Sequence, residues 1–181
     1  MSADTAVLAI DIQQSFLHAA YWRDDDVPAF RDAVLRLLDG AAQRGWPAVR
    51  ILHQDGDDAF SPESGLVRPL DWMPADADVT FTKHVHNAFT DTGLEAWLRE
   101  RGIRRLVITG IRSEQCCETT SRVGSDLGFE VDYVTEATLT FPMVHAGSGR
   151  RYDVQEIKQR TELVLDGRFA RIRSVDDVLA D

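Results

Sequence analysis

The sequence predicts an α/β protein, with a doubly wound, mainly parallel six-stranded sheet and helices on both faces. Three observations carry this. Short runs such as Val7 to Ile10 and Leu106 to Ile108 are apolar without alternation, as expected of central parallel strands covered on both sides. Between the apolar runs lie stretches with helical spacing, so strands and helices alternate along the chain. With 181 residues and no repeat, low-complexity segment or linker, one domain is expected.

In order, Val7–Ile10 forms the first strand and delivers Asp11 at its carboxyl end, the edge at which open α/β sheets bind ligands. Asp11 reads either as a site carboxylate or as a cap on the next turn. A loop from Gln13 to Asp26 contains Phe16 and Trp22. A helix follows, with Asp26 as N-cap, Pro28 in the first turn, Ala33, Val34, Leu37, Leu38 and Ala41 on one face, and Gly45 as its stop. Pro47–Leu52 is the second strand, ending at His53. Residues 54–77 are polar and irregular, with Asp55, Asp57, Asp58 and Glu63 read as a solvated rim. Val79–Thr82 is a third strand followed directly by Lys83, which either reaches solvent or pairs with Asp11. Thr92 and Glu95 have capping-box spacing for a helix that stops at Gly102. The fourth strand, Arg105–Thr109, turns through Gly110 into a helix carrying Cys116, Thr120, Val123 and Leu127 on one face. A fifth strand over Glu130–Thr135, a helix from about Tyr152 to Leu165, a sixth strand over Phe169–Arg173 and a short helix capped by Ser174 complete the chain.

Net charge is −10, from 20 basic and 30 acidic residues, and there is no basic run. This disfavours nucleic acid and anionic membrane as partners and leaves a small-molecule substrate as the expected one. No apolar stretch approaches the roughly 20 residues of a membrane span. Met1-Ser2-Ala3-Asp4 does not read as a secretion signal, and two adjacent cysteines suit a reducing compartment, so a cytoplasmic protein is expected.

Asp11, Lys83 and Cys116 all fall at carboxyl ends of strands or at the helix start beyond one. A nucleophile, a base and a cation at one sheet edge suit attack on a carbonyl through an acyl-enzyme. The positive end of the helix is expected to draw Cys116 toward thiolate. Vicinal Cys116-Cys117 also admits a thiol redox sensor or a small-molecule binding protein.

These residues resemble the isochorismatase-like cysteine hydrolase superfamily, which includes nicotinamidases and N-carbamoylsarcosine amidases. The anchors are Asp11-Ile12-Gln13 with Phe16; Lys83 with Ala88-Phe89 and Thr92-Gly93-Leu94; Val107-Ile108-Thr109-Gly110; Cys116 with Thr120; and Arg168-Phe169-Ala170. The resemblance implies a triad of Asp11, Lys83 and Cys116, with Cys117 as a neighbour. It further implies a non-proline cis peptide at Ile111–Arg112 that aims the N–H groups of Arg112 and Cys116 into an oxyanion hole. Phe16, Trp22, Phe89 and Arg112 are expected in the substrate pocket. If Arg112 faces inward, a substrate carboxylate is one reading.

The chain departs from the family pattern at Gln14-Ser15, Glu136 and Arg112. The nicotinamidase metal set needs an aspartate and histidines after the second strand, and His53 and Asp55 have no further histidine before His84. No metal or cofactor is expected. His84 and His86 read as rim or interface residues. Cys116 argues against isochorismatase activity itself. The expectation is a metal-independent cysteine hydrolase of small amide, ureido or related carbonyl substrates, assembled as a homo-oligomer (dimer or tetramer).

Overall fold

The structure, a computed structural model, describes residues 4–56 and 58–181; Met1 to Ala3 and Asp57, named above, lie outside them. Six strands form one sheet in the order β3-β2-β1-β4-β5-β8: β1 (Thr5–Ile10), β2 (Ala48–His53), β3 (Val79–Lys83), β4 (Arg105–Ile111), β5 (Glu130–Leu139) and β8 (Arg171–Ile172). Every pairing in it is parallel. Strand order reverses between β1 and β4, and the crevice above that pair is where doubly wound sheets place ligands.

Alternation along each strand divides the core. Ala6, Leu8 and Ile10 of β1 face one side with Leu106 and Ile108 of β4, covered by α2 (Leu94–Glu100), α3 (Glu118–Asp126) and α4 (Val154–Leu165). Val7, Ala9 and Val107 face the other side, covered by α1 (Val27–Gln43) and α5 (Val175–Ala180). Both faces are apolar, which is why the central strands read as unbroken hydrophobic runs. Among the described residues no helix is long and apolar enough to cross a membrane.

The predicted elements are all present, with local differences. Gly93 precedes α2 in a left-handed conformation, and Thr92 Oγ1 accepts the N–H of Leu94, the first residue of the helix, at 3.3 Å while donating to the Ala88 carbonyl at 2.6 Å, so Thr92 serves this helix start one residue earlier than a capping box would place it. Asp26 precedes α1 but is itself helical and makes no capping hydrogen bond, so Pro28 alone marks that start. Genuine capping boxes occur at Asp153–Glu156 and Ser174–Asp177. The buried stripe of α3 runs through Thr120, Ser121 and Gly124, and Val123 and Leu127 are only half-buried. A π-turn ahead of the helix has rotated its face. The sixth strand shrinks to two residues.

Strand β5 continues past Thr135 to Leu139 through a bulge. Ile108 stands opposite Tyr133 and Gly110 opposite Thr138, so Val134 to Ala137 face the single residue Thr109. A two-stranded antiparallel hairpin, β6 (Met143–Val144) with β7 (Arg151–Tyr152), lies outside the main sheet and was not foreseen.

Candidate active site

Three strand ends build the site over the end of β1. Asp11 follows β1 in a left-handed conformation at φ 53°, unusual for a residue with a side chain. Its N–H donates to the Ile51 carbonyl at 2.9 Å, and its own carbonyl accepts the Gln13 N–H at 2.9 Å. Lys83 ends β3, two strand spacings away, roughly 10 Å. An extended lysine reaching one way and an aspartate the other cover that gap, and Lys83 Nζ lies 2.8 Å from Asp11 Oδ2. Both side chains are 0% exposed. At that distance the contact is a charge-assisted ion pair, and the Cys116 thiol lies beside the same carboxylate.

The thiol arrives from the other side of β1. Gly110 makes this possible. Its φ is 136°, and a Cβ there would stand 2.0 Å from the Ile10 carbonyl oxygen, so only glycine lets β4 approach β1 this closely. The Ile111–Arg112 peptide that follows is cis. The chain then forms a π-turn over Ser113–Cys117, closed by donation from the Gln115 and Cys117 N–H groups to the Arg112 carbonyl at 3.2 and 3.3 Å. Ser113 Oγ meets Thr138 Oγ1 at 2.6 Å, and the Tyr133 hydroxyl donates to the Ser113 carbonyl at 2.8 Å, so the β5 bulge braces this turn. Cys116 Sγ then sits 3.4 Å from Lys83 Nζ.

Lys83 also donates to the Val85 carbonyl at 3.1 Å and meets His53 Nδ1 at 2.9 Å. An ammonium has only donors, so His53 must accept at Nδ1 and carry its proton on Nε2, which faces Asp55 Oδ2 at 3.3 Å. Burial first, and then the Lys83 charge, hold the His53 pKa below its ordinary value, consistent with a neutral ring. Gln13 ties these parts together. Its Oε1 accepts the His53 N–H at 2.7 Å, and its Nε2 donates to the His53 carbonyl and to Ser15 Oγ, both at 2.9 Å.

Burial pushes the Asp11 carboxyl above its ordinary pKa, against the opposing charge of Lys83. The expectation of a thiolate at Cys116 is corrected. Desolvation raises its pKa strongly, the Asp11 carboxylate raises it further, and Lys83 only partly offsets both. Cys116 is therefore a thiol at rest, beside a base. Cys117 is fully buried, and desolvation likewise pushes its thiol toward the neutral form.

The structure brings Asp11, Lys83 and Cys116 together and turns Arg112 inward, where it is buried beneath the Tyr21 ring with its guanidinium carbon 4.7 Å from the ring centre. Trp22 packs on Phe141 at 5.2 Å, the same ring that Tyr21 meets at 5.3 Å. Phe16 reaches the site indirectly, edge-on to Phe60, which in turn meets His53. Phe89 is turned toward α3: it stacks on Phe129 and lies against Gly124, and the Ala88 N–H beside it donates to Thr120 Oγ1 at 3.1 Å. His84 and His86 are exposed. Among the described residues no group of three or more His, Cys, Asp and Glu side chains is placed to hold a metal ion. Sequence reasoning named Gln13 only as a family anchor, gave Glu114 no role, and weighed His53 only as a strand end and as part of a metal set that the chain does not complete. The one available signal was that His53 ends the strand beside Lys83.

A buried thiol, carboxylate and lysine at the switch point of a doubly wound sheet define an α/β protein with a cysteine-centred site. The Isochorismatase domain family model matches residues 5–167. The uncharacterized isochorismatase family protein YrdC of Bacillus subtilis is 28% identical over the whole chain and 97% of its own length. An isochorismatase-family protein of Chromobacterium violaceum superposes with a TM-score of 0.88 at 28% identity, covering 99% of this chain and 94% of that one. Streptothricin hydrolase of Streptomyces noursei is 27% identical over 75% of this chain and 50% of its own. The chain belongs to the isochorismatase family, and it is a hydrolase.

Proposed function

We propose that the protein hydrolyses a small amide, ureido or related carbonyl substrate through a Cys116 acyl-enzyme, without a metal. The observation that carries this reading is that Lys83 Nζ touches both Asp11 Oδ2 (2.8 Å) and Cys116 Sγ (3.4 Å). As Cys116 attacks the carbonyl carbon, its proton passes to Asp11, and negative charge moves from carboxylate to sulfur. Lys83 contacts both atoms, so its charge stays compensated before and after the transfer.

The raised pKa of Asp11 suits it to hold that proton, and the raised pKa of Cys116 requires the transfer to accompany attack rather than precede it. The N–H groups of Arg112 and Cys116 would receive the oxyanion. Collapse expels the amine with the proton held by Asp11. Water, deprotonated by Asp11, then attacks the thioester and releases the acid and the free thiol. The relative named streptothricin hydrolase supports a hydrolytic reading, and the vicinal thiols as a redox sensor leave Asp11 and Lys83 without a role. Cys116→Ala should abolish turnover of any amide found in a substrate screen, with far-UV circular dichroism unchanged. Full turnover in that variant would sink the reading.

A further inference from the structure

Lys83 touches every other part of the site, and the number of protons on it limits what it can do. An ammonium carries three N–H groups and no acceptor. Four acceptors surround Lys83 Nζ: Asp11 Oδ2 at 2.8 Å, His53 Nδ1 at 2.9 Å, the Val85 carbonyl at 3.1 Å and Cys116 Sγ at 3.4 Å. Three donors cannot serve four acceptors at once, so one N–H is shared. The Val85 carbonyl and the neutral His53 ring keep the same charge throughout the reaction proposed above. Asp11 and Cys116 exchange a proton.

His53 is built to stay where it is. The pairing of β2 with β3 sets His53 opposite Lys83. Gln13 accepts the His53 N–H at 2.7 Å and donates to its carbonyl at 2.9 Å, which fixes the main chain. Asp55 Oδ2 lies 3.3 Å from Nε2, and the Phe60 ring meets the imidazole near edge-on with centres 5.8 Å apart, so tautomer and ring plane are held as well.

We infer that His53 is a positioning residue for Lys83: with the Val85 carbonyl it holds two ammonium N–H groups in place and leaves the third to follow the negative charge from Asp11 Oδ2 to Cys116 Sγ. The inference rests on the reading of Cys116 as nucleophile and Asp11 as its base. As the thiol proton passes to Asp11, the sulfur keeps the S–H electron pair and the carboxyl becomes neutral. The third N–H turns from Oδ2 to Sγ, and the electron pair goes into the new S–C bond. Without the His53 lone pair a second N–H is released and Lys83 can settle on Asp11 alone. That stabilises the carboxylate and opposes the transfer.

The test reads Cys116 directly, with iodoacetamide as the probe and labelling rates taken by peptide mass mapping of folded protein near neutral pH. His53→Phe removes the acceptor and keeps a ring in its place, and labelling should slow about tenfold. His53→Asn puts an amide oxygen where Nδ1 stands and should return the rate to within about threefold of wild type. A packing role alone would lower the melting temperature of both variants and leave their labelling rates alike. A His53→Phe rate within about twofold of wild type, or a His53→Asn rate as low as that of His53→Phe, overturns the inference. Nitrogen NMR of the histidine rings gives a second reading that needs no substitution. It should show His53 protonated at Nε2 with Nδ1 accepting a hydrogen bond, and a proton on Nδ1 overturns the inference whatever the variants do. These outcomes leave the hydrolytic reading standing, whereas a wild-type Cys116 that iodoacetamide does not label would refute that reading and the inference with it.

Discussion

Among the described residues two aspartates are wholly buried, Asp11 and Asp132, and they sit at opposite ends of the same sheet. Asp132, near the start of β5, accepts from Arg105 Nε at 2.5 Å and Arg171 Nε at 2.7 Å, one guanidinium on each carboxylate oxygen. Asp11 meets one cation, Lys83, at one oxygen and stands beside the Cys116 thiol. Burial alone therefore does not distinguish a reactive carboxylate from a structural one. The partners do: a carboxylate with an arginine on each oxygen is committed to structure, and one held by a single lysine beside a thiol can take that thiol's proton.

The comparison is broken most sharply by paired substitutions. Asp11→Asn should lower kcat by roughly 10³ while far-UV circular dichroism is retained. Asp132→Asn should cost about 3 kcal/mol of unfolding free energy in urea titration, because two arginines lose their partner, and should leave kcat within about threefold. Similar effects of the two substitutions on kcat would erase the distinction.

A pH profile sharpens the next step. Asp11 must be ionised to act as base, and its pKa is raised, so the acid limb of kcat/KM should have its midpoint above the ordinary value of 3.8. Lys83→Met removes the cation that opposes this rise, so the limb should move further toward neutral pH and kcat should fall by at least about tenfold. An acid limb at or below 3.8 in the wild type contradicts the assignment.

His53 offers a smaller effect. Its folded pKa lies below the ordinary 6.5, so the unfolded chain binds the proton first as pH falls. Stability from this group is present above 6.5 and is lost as pH drops through that value toward the folded pKa. His53→Phe should flatten the loss of melting temperature on acidification in that window. Cys117→Ala is the mildest case. Removing a buried thiol at a packed position should cost about 1 kcal/mol in stability and change kcat by less than about twofold.

The site's charged centre was legible because Asp11, Lys83 and Cys116 stand where apolar runs stop, and a residue at a strand end has a known place in a doubly wound sheet. Gln13 and His53 were not legible in these roles, since they arise from backbone register: β2 places His53 against Lys83, and Gln13 reads the His53 main chain. Glu114 looks like an ordinary first-turn acid until Arg112 folds onto it. The ionisation of Cys116 was misread because helix position is visible in sequence, and the desolvation that outweighs it is not. Likewise the β5 bulge and the hairpin after it, built from two-residue strands, leave no periodic trace.

The most direct measurement is to quench a turnover of an amide substrate in acid and map the adduct by mass spectrometry. The account predicts the acyl mass on Cys116 and none on Cys117, with formation slowed in Asp11→Asn. An adduct on Cys117, or turnover with no covalent species and full activity in Cys116→Ala, would contradict it.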